Sequence, residues 1–95
     1  MPAYVIVDIT VHDRDRYEEY KTLAPPSIAA YGGRYLARGG RTEVLEGTAS
    51  PNRVVILEFP GIERAREWLE SPEYREARAL RHQAATTSMI VVEGL

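Results

Sequence analysis

Two stretches of the chain, AYVIVDITV (3–11) and RVVILEF (53–59), are apolar at positions of both parities, with Val5 beside Ile6 and Val55 beside Ile56. Side chains alternate across a strand, so a sheet built from such segments shows apolar groups on both faces. Both faces then need cover. The chain has 95 residues, which is one domain spanning 1–95, with helices enough for one face only. A second copy of the same sheet is the simplest lid for the other, so the pattern predicts a homodimer.

The remaining segments order themselves around those strands. In 3–11, Ala3, Val5, Val7, Ile9 and Val11 fall on one face, and Tyr4, Ile6, Asp8 and Thr10 on the other. Asp13 is placed to cap a helix whose apolar stripe runs Tyr17, Tyr20, Ala24, Ile28, Tyr31. Pro25-Pro26 lies inside that stripe and predicts a kink or restart, because neither proline has an amide donor. Gly32-Gly33 predicts the helix stop, one of them as a left-handed cap. A second strand is expected over 34–38, a bulge at Gly39-Gly40, and further strand over 42–45 (TEVL), before a turn over 47–52.

Strand 53–59 stops at Pro60-Gly61. A helix follows on Ile62, Ala65 and Leu69, with Trp68 on its flank, and Ser71-Pro72-Glu73 restarts it. Tyr74, Ala77, Leu80 and Ala84 form the buried face of the last helix, and 87–92 the fourth strand. The order is β-α-β-β-α-β: an α+β, ferredoxin-like fold with a four-stranded antiparallel sheet and its helices on one face.

Composition excludes several function classes. The net charge is −2, which disfavours binding nucleic acid through its phosphates. The absence of cysteine removes disulfides, thiolate metal sites and a cysteine nucleophile. No apolar run nears the ~20 residues a membrane span needs. The opening MPAYVIVDIT lacks a basic leader, so the expected location is the cytoplasm. His12 and His82 have no partner at ligand spacing, so no metal and no cofactor are expected. Eleven of the twelve basic residues are Arg, Lys21 being the exception, and acids interleave with them.

The segments GGRYLARGG (32–40), LEG (45–47), RVVILEFPG (53–61), WLESPEY (68–74) and VVEG (91–94) together resemble the small bacterial family known as domain of unknown function 1330, in the dimeric α/β-barrel superfamily. The resemblance spans nearly the whole chain. It implies two four-stranded sheets stacking into a barrel across a homodimer, and implies no particular reaction. Other branches of that superfamily include cofactor-independent monooxygenases and muconolactone-isomerase-like enzymes. Gly61 and Leu69 depart from the family pattern, which favours a capping serine or aspartate and a second aromatic there.

Candidate functional residues fall into two sets. Tyr20, Trp68 and Tyr74 are suited both to core packing and to a pocket wall, with Arg34 placed to hold an anionic group. Asp8 and Glu58 are carboxylates within strands, and parity sets them on the face away from the helices. There they need a cation, for which Arg34, Arg38 and Arg53 are the candidates. Such a carboxylate serves equally to fix the dimer register or to act as a base. The leading expectation is a homodimer binding a small organic molecule, anionic or aromatic, between sheet and helices. A cofactor-independent isomerase or oxygenase using Asp8 or Glu58 is the second reading, and an interaction module the third.

Overall fold

A computed structural model describes residues 1–95. The chain forms β1 (Ala3–Val11), α1 (Arg14–Ala30), β2 (Arg34–Arg38), β3 (Arg53–Phe59), α2 (Ile62–Leu69), α3 (Pro72–Ala84) and β4 (Ala85–Glu93). The four strands make one antiparallel sheet in the order β2-β3-β1-β4. This is the ferredoxin-like arrangement, with the second helical segment divided in two at the Ser71 restart.

The parity expected of β1 and β3 holds. Val5, Val7, Ile9, Val55, Leu57 and Phe59 are buried, and join Tyr17, Ala24, Ile28, Ala65, Trp68, Tyr74 and Ala77 in one core between sheet and helices. Tyr4, Ile6, Asp8, Val54, Ile56 and Glu58 lie on the opposite, helix-free face.

Local signals explain the helix ends. Asp13 accepts from the Arg16 amide at 3.2 Å and caps α1. At the other end the Gly33 amide reaches the Ile28 carbonyl and the Gly32 amide the Ala29 carbonyl, at 2.9 and 3.0 Å. That is a Schellman closure, with Gly32 at φ +75° as its left-handed residue. Ser71 Oγ accepts from the Tyr74 amide at 3.1 Å and Pro72 takes the first helical position of α3. Gly61 caps α2 without a side chain. Trp68 Nε1 donates to Ser27 Oγ at 3.1 Å, so the indole is buried with its one polar group satisfied.

Five sequence expectations are corrected. First, α1 runs through Pro25-Pro26 without interruption. Pro25 cannot donate to the Lys21 carbonyl four residues back. Arg38 does so instead, its terminal nitrogen 2.8 Å from that oxygen. Second, the β2 bulge falls at Leu36, between Tyr35 and Ala37, not at the glycines. Third, residues 42–45 form no strand, and Val44 and Leu45 are exposed. The chain turns away at Gly39, whose φ is +69°, and no neighbouring strand is left to pair with. Fourth, Trp68 is 1% exposed and sits at the centre of α2's buried side. Fifth, Arg81 takes the buried position on α3 assigned to Leu80, which is half-buried.

No helix is long and apolar enough to cross a membrane.

Candidate functional site

The bulge at Leu36 decides which arginines meet which face. Arg34 stands opposite Glu58, on the helix-free side. Without the extra residue Arg38 would share that side, since positions 34, 36 and 38 have one parity. With it, Arg38 pairs with Val55 and turns toward the helices. Arg53, in register with Ile9, is on the helix side as well.

The expected carboxylate placement is therefore found, and of the three candidate arginines it is Arg34 that pairs there. Arg34 Nε donates to Glu58 Oε1 at 2.6 Å across the open face. Asp8, on the same face, accepts from the Asn52 amide at 3.0 Å through Oδ1. Arg34, Asp8 and Glu58 are thus separated by the sheet itself from Tyr20, Trp68 and Tyr74.

Those three rings do come together. Trp68 and Tyr74 have centroids 4.2 Å apart, and Tyr20 lies edge-on to Tyr74 at 6.3 Å. The Tyr20 and Tyr74 hydroxyls are 2.7 Å apart. Burial, reinforced by the neighbouring Tyr74 hydroxyl, holds the Tyr20 proton far above the ordinary phenol range. The Tyr20 hydroxyl is therefore neutral at ordinary pH.

Behind Tyr74 lies a residue the sequence did not single out. Arg81 Nε donates to the Tyr74 hydroxyl at 3.2 Å, and its terminal nitrogens reach Thr87 Oγ1 and His82 Nε2. Arg81 is 4% exposed and has no carboxylate partner. Its position in the last turn of α3 offsets part of the burial cost, because the free carbonyls there carry negative potential. The spacing Tyr74, Ala77, Arg81, Ala84 was the available signal.

Between helices and sheet are two cavities. One, of about 20 Å³, has room for about one water. Tyr17, Tyr20, Tyr35, Lys21, Arg38 and Arg53 surround it, and no acid lines it. Burial raises the Tyr35 hydroxyl above its ordinary value, against the opposing pull of Arg38. The other cavity, of about 140 Å³, lies between α2 and β4 and is apolar except for Arg66. Trp68 and Met89 line both. No three His, Asp or Glu side chains cluster closely enough to hold a metal ion.

The family model for the domain of unknown function DUF1330 matches residues 2–95. The chain belongs to that family. Among solved structures it is similar to a protein of unknown function from Rhodopseudomonas palustris, at 21% identity and TM-score 0.80, covering 99% of this chain and 82% of that one. A dimeric ferredoxin-like protein of unknown function from Jannaschia sp. CCS1 is 12% identical at TM-score 0.73, covering 99% and 100%. SnoaB, a cofactor-independent oxygenase from Streptomyces nogalater, is 14% identical at TM-score 0.69, covering 99% and 93%. At these identities the likeness is one of fold. A comparison with the curated proteins found no match.

Proposed function

We propose that this protein is a homodimer that binds a small organic molecule between its sheet and its helices. The observation that carries the reading is the pair of cavities with a common wall. The 140 Å³ cavity is close in size to an engineered apolar cavity of about 150 Å³ that binds benzene. It fits a ring-sized apolar group. Its neighbour supplies tyrosine hydroxyls and cations for a polar end. Met89, a half-buried thioether with three rotatable bonds, is the movable part of the wall between them.

Within this reading Tyr20 contacts the ligand, Trp68 walls both cavities, and Tyr74 holds the Tyr20 hydroxyl in place. Binding is favoured over base catalysis because Asp8 and Glu58 lie across the sheet from the cavities. The dimeric state of the Jannaschia protein supports a dimer, and the apolar character of the helix-free face makes it the surface for that contact, which would put the carboxylates at the interface.

Fragment soaking of crystals tests the site. Ring-sized fragments are expected in density bounded by Trp68, Met89 and Val91. Fragments that collect only elsewhere, with that volume unoccupied, would refute the reading.

A further inference from the structure

We infer that the cleft selects a carboxylate-bearing ligand, and that Arg38 and Arg53, not Arg34, recognise its anion. The inference rests on the proposed ligand site between sheet and helices and names the chemistry that site takes.

The charge distribution comes first. The whole chain is net negative at −2, yet the smaller cavity is lined by Lys21, Arg38 and Arg53 and by no acid. Lys21 has a partner in Glu18 at 3.0 Å, within an exposed i,i+3 pair on α1. Arg38 and Arg53 have no carboxylate partner, and of the six arginines without one they are the two that line this cavity. In a chain with more acids than bases, two unpaired guanidiniums at one cavity mark a place prepared for an external anion.

Both groups are also held in position. Arg53 Nε donates to the Tyr17 hydroxyl at 3.0 Å, and its guanidinium carbon is 5.5 Å from that ring's centre. A Cβ on Gly39 would collide with this guanidinium, so the missing side chain provides the seat in which it lies. Arg38 lies over the Tyr35 ring at 4.5 Å and spends one N–H on the Lys21 carbonyl. The terminal nitrogens of Arg53 and the Nε of Arg38 make no hydrogen bond within the protein. The terminal nitrogens of Arg53 are not sealed from solvent, and Arg38 is an exposed residue. Fixed donors with unspent N–H groups lose little freedom on binding, and a planar guanidinium matches a carboxylate in two-point geometry. Tyr17 and Tyr35 wall this polar end of the cleft.

The test uses phenylacetate and its neutral isostere phenylacetamide, titrated into the intact protein and followed by backbone amide and Met89 methyl resonances. Phenylacetate is expected to bind about tenfold more tightly than the amide, the preference shrinking as salt is raised. Arg38→Gln and Arg53→Gln should each bring the two affinities within about twofold, the acid losing more than the amide. Arg34→Gln should leave the preference intact. Arg38 is an exposed side chain, so its variant keeps the question answerable if Arg53→Gln does not fold. Equal binding of acid and amide in the cleft would overturn the anion inference and spare the ligand site. Absence of any cleft shift with either probe would overturn both. Loss of the preference on Arg34→Gln alone would move the anion to the other face and refute the assignment.

Discussion

A missing methyl group at position 33 shows how closely the sheet approaches α1. A Cβ there would lie 2.6 Å from Phe59 Cε1 and 2.8 Å from Ile28 Cγ2, both in the core. Neither neighbour is a free chain end that can swing aside. Gly33→Ala should therefore cost about 1–3 kcal/mol, as overpacking of a filled core does. Gly40→Ala meets nothing within 4 Å and should be nearly neutral. Denaturant unfolding of the two variants checks the pair, and equal midpoints would show that the contact is not restrictive. Tyr20 supplies a second expectation at this scale. Its folded-state pKa is raised by burial, so the neutral hydroxyl contributes stability that is complete below its ordinary value of about 10. Above that pH the unfolded chain loses the proton and the folded chain keeps it, so stability falls as pH climbs. Tyr20→Phe should flatten that alkaline fall. An unchanged stability profile above pH 10 in the variant would place the sensitivity elsewhere. Such residues were legible in part. The caps Asp13 and Ser71 could be read from residue type and spacing alone. Arg81 could not, because its burial depends on the Tyr74 and Thr87 hydroxyls, and a charged residue at a stripe position is normally assigned to solvent.

At the scale of elements, α1 and β2 depend on each other. Pro25 deprives the Lys21 carbonyl of its helical donor, and Arg38 replaces it at 2.8 Å. Arg38 is within reach only because the Leu36 bulge turns it to the helix side. The coupling has a measurable sign. Arg38→Met keeps an aliphatic stem but removes the guanidinium, and with it the donor to Lys21 and the group over Tyr35, which should cost about 1 kcal/mol or more in the parent chain. In a Pro25→Ala background the restored amide serves the carbonyl, and the same substitution should cost distinctly less. A double-mutant cycle by chemical denaturation measures the difference, and identical costs in both backgrounds would disprove the compensation. The sequence carried half of this. Proline's missing donor was plain, and so was the need for an irregularity in β2. The adjacent glycines at 39 and 40 place the bulge three to four residues too late, since bulge position is set by strand pairing and not by local propensity. That displacement is also why Arg38 was grouped with Arg34. The expected 42–45 strand fails for the same reason: Thr42, Glu43, Val44 and Leu45 do not alternate, β3 has only seven residues, Arg53–Phe59, and β2 already pairs with 55–58 of them.

For the molecule as a whole, the shape poses the question. Its principal extents are 36 × 33 × 17 Å, which is a slab two layers thick. Helices cover one side of the sheet. On the other stand Tyr4, Ile6, Val54 and Ile56, flanked by Ile90 and Val92 of β4, which are 58% and 48% exposed. Four strands spaced about 4.8 Å apart, two of nine residues and the others of seven and five, present a planar footprint of about 500 Å². A standard interface buries about 800 Å² per partner, so a dimer would draw on the whole of this face. A face of that size, apolar at its centre, calls for a partner. A second copy is self-complementary about a two-fold axis, and the Arg34–Glu58 pair gives the contact a fixed polar register. Light scattering at micromolar concentration should therefore return a mass near twice 10.7 kDa. Ile90→Glu is the informative variant, because Ile90 is largely exposed in the single chain and its loss removes little core packing. Two such charges brought together across a two-fold, or one buried without a partner, should shift the mass toward the monomer while the far-ultraviolet dichroism stays that of the folded chain. A wild-type protein that remains monomeric, or a variant that dimerises as tightly as the parent, would mean that the face is covered in some other way.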